Sequence, residues 1–297
     1  MKRREFIRNS FLFLASLSLS NLIKGKKNIS FAQEKESTIF ISRGKNIEEI
    51  TNKLIENMGG MGRFVKRGEK VVIKPNIAWN RTPEQAANTN PEVVGTLVKL
   101  CKKVGAREVV VMDNTVNPWT VTYITSGIKE SVENAGGITK PPTEWIKVDV
   151  GGDVLKEAEV LKEVVECDVL IDVPVVKVHS GGVVTIGMKN FMGIVKDRGY
   201  FHRTDLHRCI AEITKYILPK TRLIILDAIN VMLTRGPQGP GELKNLDMVI
   251  GGTDIVALDA YGSTLLGKTP EQVPHIKYGA EMGLGTMDLN KIKIKYV

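Results

Sequence analysis

The sequence predicts an α/β fold: a mostly parallel sheet with helices on both faces. Three observations predict it. Short apolar runs rich in Val and Ile recur along the chain, segments with helical spacing separate them, and polar or turn-forming residues follow most runs. Strands separated by helices of this length favour parallel pairing through right-handed crossovers. With 297 residues, 42% hydrophobic and 25% charged, the chain is long enough to bury a sizeable core.

Each predicted strand is a short run rich in β-branched or aromatic residues. Several are apolar almost throughout, as in strands buried on both faces of a sheet. The last run alternates between apolar and charged residues, which is typical of an edge strand. The predicted strands are 38–42, 70–74, 108–112, 145–150, 169–176, 221–226, 248–250 and 292–297.

The predicted helices carry recognisable start and stop residues. Asn90 and Pro91 supply an N-cap and a first helical residue, and Gly59-Gly60 ends the helix before it. Residues 177–245 have fewer strand patterns and more Gly, His and Arg, which predicts a loop-rich cap segment over the sheet. The predicted helices are 47–58, 91–104, 128–134, 155–165, 255–266 and 271–282.

The net charge of +9 is concentrated at the N-terminus. Residues 1–32 carry a net charge of +6, because seven Lys or Arg residues face only Glu5 there, and the rest of the chain carries +3. An excess this mild does not indicate a basic binding face. We therefore expect no nucleic-acid partner.

The first 32 residues have the pattern of a twin-arginine signal peptide. Arg3 and Arg4 precede Phe6, an apolar run interrupted by serines follows, and small residues precede the expected cleavage after Ala32. An ordinary secretory signal and an uncleaved anchor are the alternatives. The pattern predicts export by the twin-arginine translocation machinery to the periplasm or the outer side of the membrane. Residues 33–297 are then expected to form a single α/β domain.

The three cysteines, Cys101, Cys167 and Cys209, lie far apart in the sequence. The chain has no CxxC pair, so neither a zinc knuckle nor an iron–sulfur cluster can be built from this chain alone. We expect buried thiols. One disulfide is the alternative for an exported protein.

Polar residues recur where the predicted strands end. If the strands are parallel, these residues collect along one edge of the sheet, which is where open α/β sheets bind ligands. Asp254 precedes a helix directly and is therefore expected to be an N-cap. The residues at the strand ends are Lys74, Asn76, Asp113, Lys177, His179, Asp227 and Asp254.

The segment that begins at Lys177 is expected to carry the chemistry. Gly181-Gly182 allows a tight turn with free N–H groups. His179 is a candidate acid, base or metal ligand, and Lys189 binds an anion or, if desolvated, acts as a nucleophile. Asp113 is expected to orient His179 or to hold a metal. The predicted catalytic residues are His179, Lys189 and Asp113, and the predicted substrate-binding residues are Lys74, Asn76, Lys177, Asn190 and Arg203.

Three of the four histidines fall between residues 179 and 207. His202 and Asp205 are three residues apart and would share a helix face, a spacing that suits one metal ion, whereas His207 would point away. The predicted metal ligands are His179, His202 and Asp205. The alternative is a basic helix start whose arginines lie in solvent or contact an anionic substrate.

Several motifs together resemble domain-of-unknown-function family 362. They are KPN at 74–76, TNPE at 89–92, the block from DVLIDVPVVKVH to GMKNFMG, GPQGPG at 236–241 and GGTDIVALDA at 251–260. The resemblance covers nearly all of the chain after the N-terminal segment. Many family members are associated with a ferredoxin-like iron–sulfur module, whose cysteines this chain lacks.

The central block also resembles the glycine-rich loop of nickel-pincer lactate racemases, in which a histidine precedes a cofactor-holding lysine. The resemblance maps that pair to His179 and Lys189 and makes His202 a candidate nickel ligand. The Ser-Gly-Gly-Lys pattern of the racemases is not reproduced here. Whether a metal or an organic cofactor is bound stays open.

Three functions are consistent with these residues. The first is an exported enzyme that binds a small anionic substrate or cofactor at the sheet edge, with lysines as electrostatic contacts and His179 as acid–base group. The second is a non-catalytic cofactor- or metal-binding accessory protein of an exported redox system, with a redox protein as partner. The third is a metal carrier. The sequence favours the first.

Overall fold

A mostly parallel sheet runs through the part of the chain that the computed structural model describes, residues 37–297. The predicted signal peptide, residues 1–32, lies outside the described residues. The strands are β1 (Ser37–Arg43), β2 (Lys70–Pro75), β3 (Glu108–Val111), β4 (Ile138–Thr139), β5 (Trp145–Asp149), β6 (Glu157–Leu161), β7 (Val169–Val173), β8 (Val175–His179), β9 (Val183–Thr185), β10 (Thr221–Met232), β11 (Leu243–Gly252) and β12 (Ile292–Tyr296). Across the sheet their order is β12-β1-β11-β10-β7-β2-β3-β4. β8 pairs with β10 and β9, while β5 and β6 form a separate antiparallel pair.

Helices cover both faces of this sheet. The helices are α1 (Ile47–Asn57), α2 (Pro91–Lys103), α3 (Trp119–Thr125), α4 (Ile128–Asn134), α5 (Lys162–Glu166), α6 (Gly187–Asn190), α7 (Arg198–Arg203), α8 (Leu206–Ile217), α9 (Ile255–Leu265) and α10 (Pro274–Glu281). Within residues 37–297, none of them is both long and apolar enough to span a bilayer.

Two apolar layers explain why the helices lie on opposite faces. In β2, Val71 and Ile73 belong to one buried cluster and Val72 to the other, because successive side chains of a strand point to opposite faces. Helices α1, α2 and α4 add their apolar residues to the first cluster, and α8, α9 and α10 add theirs to the second. The predicted α/β fold with a mostly parallel sheet is confirmed.

The central strands run in the same direction. β2 lies between β3 and β7 and is parallel to both, with Ile73 opposite Val111 and Lys74 opposite Asp172. Parallel strands in register end at the same edge of the sheet. The loops that leave β2 and β3 therefore meet beside the end of β7.

The other side of the sheet is mixed. β11 runs antiparallel to both β10 and β1, so its carboxyl end lies at the opposite edge from those of the parallel strands. β12 pairs with β1 and ends the strand order, which confirms the edge strand predicted at 292–297.

Residues 177–245 hold more regular structure than the predicted loop-rich cap. β10 lies in the middle of the sheet, and α7 and α8 are regular helices. Asp197 and Asp205 cap these two helices by accepting hydrogen bonds from Tyr200 N–H and Arg208 N–H. The sequence prediction did not recognise these two N-caps, because it was based on the Arg- and His-rich composition of the segment. The longest irregular stretch is 233–242, and shorter ones lie at 180–182, 195–197 and 204–205.

The helix predicted at 155–165 is wrong over its first half. Glu157–Leu161 is β6, which pairs antiparallel with Trp145–Asp149. Burial alternates along this segment, as it does in a strand: Ala158 and Val160 are buried, whereas Glu157 and Glu159 are exposed. Only Lys162–Glu166 is helical.

Candidate active site

A cavity of about 460 Å³ opens at the sheet edge where β2 and β3 end. This volume lies within the usual range for small-molecule sites. The cavity reaches solvent, because Val116 in its wall is 49% exposed. Its polar wall is made by Lys74, Asn76, Asp113, Asn114, Lys177, His179, Ser180, Thr185, Lys189, Asn190, Arg198, His202 and Gln238. The cavity thus brings together every predicted catalytic or substrate-binding residue except Arg203.

Lys74 and Asp113 form a buried ion pair in this wall. Lys74 Nζ lies 2.9 Å from Asp113 Oδ1, and Asp113 Oδ2 accepts a hydrogen bond from Ile77 N–H at 2.7 Å. Burial raises the pKa of Asp113, while Lys74 beside it acts in the opposite direction. With both oxygens engaged, Asp113 does not make the predicted contact with His179 within residues 37–297. Asp113 therefore already balances the charge of Lys74.

Asn190 holds the floor of the cavity together. Its Oδ1 accepts from Lys74 Nζ at 2.8 Å and from Asn76 Nδ2 at 3.1 Å. Its Nδ2 donates to Lys74 O at 3.1 Å and to Asp172 Oδ1 at 2.8 Å. The amide therefore uses all its hydrogen-bonding capacity inside the protein. Asn190 is better described as a positioning residue than as a substrate contact.

Asp172 is a site residue that was not predicted from the sequence. It lies in β7 directly opposite Lys74 and is fully buried. Burial raises the pKa of Asp172 well above its ordinary value, which favours the neutral form of this carboxyl group. The available signal was an acidic residue inside an otherwise apolar strand, which is rare without a structural or functional reason.

Lys177 is a buried lysine with no carboxylate partner in the described part of the chain. It is 1% exposed, and its Nζ donates to Asn76 Oδ1 at 3.2 Å and to Ala87 O. Burial lowers the pKa of Lys177 well below its ordinary value, and the charge of Lys189 adds to the effect. A buried amine held only by neutral oxygens favours an anion as neighbour.

Lys189 is a second buried amine without a carboxylate partner among residues 37–297. It is 8% exposed, and its Nζ lies 3.4 Å from Met192 Sδ. A Cβ atom on Gly182 would lie 2.4 Å from Lys189 Cε, so the glycine turn makes room for this side chain. Burial, with Arg198 and Lys74 nearby, lowers the pKa of Lys189 to about 7. A large fraction of Lys189 is therefore a neutral amine at neutral pH.

His179 is held in one tautomer. Its Nδ1 accepts hydrogen bonds from Gly181 N–H and Gly182 N–H, each at 3.0 Å. Burial, with Lys189 and Lys177 nearby, lowers the pKa of His179 to about 2, so the imidazole is neutral and carries its proton on Nε2. The ring therefore presents an N–H donor. Acting as a base or a metal ligand through Nε2 would require moving that proton to Nδ1, against two N–H donors.

Arg198 is a second missed residue. It is the first residue of α7, and its guanidinium donates to Asn114 O and Thr115 O at 2.9 Å each. These carbonyls hold the guanidinium in the cavity wall beside the β3 loop. The arginine predicted to bind substrate was Arg203, whose side chain pairs with Asp197 and is 65% exposed. Spacing on a short helix did not reveal which arginine turns inward.

The predicted metal ligands do not form a metal site. Asp205 caps α8 by accepting from Arg208 N–H, and His179 Nδ1 is occupied by backbone donors. His207 Nδ1 lies 3.0 Å from His275 Nδ1 in a stacked pair. Within residues 37–297, no group of three or more His, Cys, Asp or Glu side chains is placed to hold a metal ion. The donor set therefore does not fit a metal bound by His179, His202 and Asp205.

Two of the polar residues predicted at strand ends lie outside the cavity wall. Asp227 falls inside β10, which continues to Met232, and its carboxylate accepts from Asn90 N–H and Ile229 N–H. Asp254 follows β11, whose direction is reversed, and it caps α9 as predicted. Neither residue reaches the shared edge, because β10 continues past Asp227 and β11, which Asp254 follows, runs antiparallel to β10.

The cysteines are free and buried. Cys101, Cys167 and Cys209 each lack a disulfide partner in the described chain. The prediction of buried thiols is confirmed, and the alternative of a disulfide is not realised in this structure. None of the three lines the cavity.

Stability should rise with pH above neutrality because of Lys189. Its pKa is about 7 in the folded protein and about 10.4 in an unfolded chain. Between these values the unfolded chain binds a proton that the folded protein does not, so the free energy of unfolding increases with pH. We expect Lys189→Met to reduce that increase by roughly 1 kcal/mol per pH unit, measured by urea denaturation at pH 7 and pH 9. An unchanged slope in the variant would contradict a lowered pKa for Lys189.

Known proteins similar to this chain include a thylakoid-associated protein from Synechocystis, 28% identical over 249 residues that cover 78% of this chain and 73% of that protein. A solved protein from Thermotoga maritima is 14% identical with a TM-score of 0.42, and the matched region covers 79% of this chain and 58% of that protein. The lactate racemase apoprotein from Thermoanaerobacterium thermosaccharolyticum is 14% identical with a TM-score of 0.47, and the matched region covers 77% of this chain and 57% of that protein. This chain spans less than two thirds of either solved structure.

A family model described as domain of unknown function (DUF362) matches residues 71–264. The match covers about two thirds of the chain, from β2 into α9. It contains every lysine of the cavity wall and the loop that carries His179. The chain belongs to the DUF362 family.

Proposed function

We propose that the cavity binds a small anionic molecule and that the protein is an enzyme acting on it. The observation that carries the proposal is the charge of the wall. Lys177, Lys189 and Arg198 line the cavity, whereas Asp113, the carboxylate among the lining residues, is already paired with Lys74. A bound anion would supply the missing negative charge and would favour protonation of Lys177.

An unpartnered hydroxyl supports a ligand at this position. Thr185 lines the cavity and is 3% exposed, and its Oγ1 has no hydrogen-bond partner within residues 37–297. Buried polar atoms are nearly always hydrogen-bonded in folded proteins. A ligand oxygen in the cavity would accept from Thr185 and satisfy this group.

Two neutral groups favour chemistry in addition to binding. Lys189 provides an amine with a pKa of about 7, and His179 provides an imidazole N–H held in one tautomer. A strongly perturbed base beside a fixed donor is typical of sites that transfer protons or polarise a carbonyl group. We therefore favour an enzyme over a passive carrier.

Replacing Lys177 with Met should remove most of the anion affinity. A hydrogen bond to a charged group contributes about 1.5–3 kcal/mol. Its loss should raise the dissociation constant of the variant roughly 10- to 100-fold. The measurement is isothermal titration calorimetry of wild type and variant with pyruvate, acetate and inorganic phosphate at pH 7.

Lys196→Met is the matched control for this experiment. Lys196 is 49% exposed in an ion pair with Glu159 outside the cavity, so its loss should leave the affinity unchanged. If none of the three anions binds the wild type, or if both variants bind as the wild type does, the proposed anion site is wrong.

We also propose that the protein is exported by the twin-arginine machinery. The support is the Arg3-Arg4 pair with the apolar run and small residues that follow it. Replacing both arginines with lysine in the full-length chain should leave the protein inside the cell. Fractionation of cells that express each form tests the proposal, and export of the Lys-Lys form would contradict it.

A further inference from the structure

We propose that Lys189 forms an imine with its substrate, so that the substrate class is a small oxo acid: an anion with a ketone or aldehyde carbonyl. This inference rests on the proposed anion site and adds a covalent step to it. It depends on where the amine of Lys189 lies and on what surrounds it.

The two lysines Lys74 and Lys189 have opposite environments in the same cavity wall. Lys74 Nζ contacts the Asp113 carboxylate at 2.9 Å and Asn190 Oδ1 at 2.8 Å, which favours the ammonium form. Lys189 Nζ has a thioether, Met192 Sδ, at 3.4 Å and no carboxylate partner within the described residues. A thioether is a weak acceptor that stabilises an ammonium poorly. The surroundings of Lys189 therefore favour a neutral, nucleophilic amine.

The charges that face Lys189 act in the same direction. Arg198 and Lys74 disfavour its ammonium form after the larger effect of burial. The carboxyl group of Asp113 contacts Lys74. Lys189 in turn lowers the pKa values of the basic groups around it, which are Lys177, His179, His202, His207 and His275. Cationic neighbours and desolvation are the two features that activate a lysine for attack on a carbonyl.

The glycine turn fixes the position of the amine. An added Cβ atom on Gly182 would lie 2.4 Å from Lys189 Cε and 2.7 Å from its Cδ, so the side chain packs closely against the bare backbone. The same turn donates both N–H groups that hold His179 in its Nε2–H tautomer. One short segment therefore places the nucleophile and the N–H donor.

The covalent step is balanced without a further reactant. The lone pair of Lys189 Nζ attacks the carbonyl carbon, and the carbonyl π pair moves to oxygen, which His179 Nε2–H stabilises by hydrogen bonding. One amine proton passes to that oxygen to give a carbinolamine. The second amine proton leaves with the hydroxyl group as water, and the C=N bond forms. Lys177 and Arg198 bind the carboxylate of the same substrate throughout.

The test is reductive trapping of full-length protein with pyruvate and cyanoborohydride at pH 7, followed by intact-mass measurement and peptide mapping. At pH 7 the neutral fraction of Lys189 should exceed that of an exposed lysine roughly thousandfold, given a pKa of about 7 against about 10.4. We expect one adduct per chain, located at Lys189. Labelling should increase with pH up to about 7 and then level off, because it follows the neutral amine.

Two variants and one control separate the amine from its surroundings. Lys189→Arg removes the nucleophilic amine and should lose the adduct. Gly182→Ala keeps the amine but displaces it, and should slow trapping by about tenfold or more. Lys196→Arg, outside the cavity, should label as the wild type does. Far-ultraviolet circular dichroism checks that each variant is folded.

The outcomes distinguish this inference from the proposed anion site. If calorimetry shows that pyruvate binds but no adduct forms at Lys189, the imine is overturned and the anion site stands. If label appears on surface lysines and equally in Lys189→Arg, the imine is likewise overturned. If pyruvate, acetate and inorganic phosphate all fail to bind and no adduct forms, both proposals fail.

Discussion

Gly193→Ala is expected to lower the free energy of unfolding by about 3–5 kcal/mol, the cost of disrupting a buried ion pair. An added Cβ atom at Gly193 would lie 2.0 Å from Asp113 Oδ1 and 2.6 Å from Lys74 Nζ. The backbone has little freedom to retreat, because Gly193 O accepts from Asn114 N–H at 2.8 Å in the loop after β3. The methyl group must therefore separate Lys74 from Asp113, and both side chains are buried.

Urea denaturation of wild type and variant at pH 7 measures this loss. Gly62→Ala is the matched control, because its added Cβ atom would meet only Val104 Cγ1 at 4.0 Å, an ordinary contact. The control should change the free energy of unfolding by less than about 1 kcal/mol. A loss at Gly193 no larger than at Gly62 would contradict the close packing of glycine against the ion pair.

Lys74→Met is expected to destabilise the protein by a similar amount, about 3–5 kcal/mol, because it leaves Asp113 buried without its cation. Asn190 Oδ1 also loses its Lys74 donor. Adding Asp113→Asn to Lys74→Met should recover more than half of the loss. The second substitution removes the unpaired charge. In the wild type, Ile77 N–H donates to Asp113 Oδ2, and the amide oxygen of the new asparagine can accept the same hydrogen bond.

The free energies of unfolding of the two single variants and the double variant form a cycle. We expect a coupling free energy of about 2 kcal/mol or more between Lys74 and Asp113. Because burial raises the pKa of Asp113, protonation at low pH should reduce the loss in Lys74→Met. Additive losses in the double variant would show that the two side chains do not act as a pair.

The membership of the candidate site was largely predictable from the sequence. Lys74, Asp113, Lys177 and His179 follow or end apolar runs, and parallel strands bring such positions to one edge. Lys189 was added because it lies in the same glycine-rich segment. Arg198 and Asp172 were missed because neither occupies a strand end: Arg198 begins a helix, and Asp172 lies inside β7.

The roles of these residues were less predictable than their positions. His179 was a candidate acid, base or metal ligand until its Nδ1 was found to accept from Gly181 N–H and Gly182 N–H. Asp113 was expected to serve His179, but its carboxylate pairs with Lys74. Which partner a polar atom finds depends on loops from distant parts of the chain, and residue spacing carries little information about them.

The sequence by itself determined the alternation of strands and helices and the edge at which most polar residues meet, since apolar period and parallel pairing are local rules. The tertiary structure decided the direction of β11, and this direction places Asp254 away from the site. It also decided that Asp113 pairs with Lys74, so that Lys177 and Lys189 have no carboxylate partner in the described chain. The physical reason is that protonation depends on burial and on neighbouring charge, which exist only once the segments have packed together.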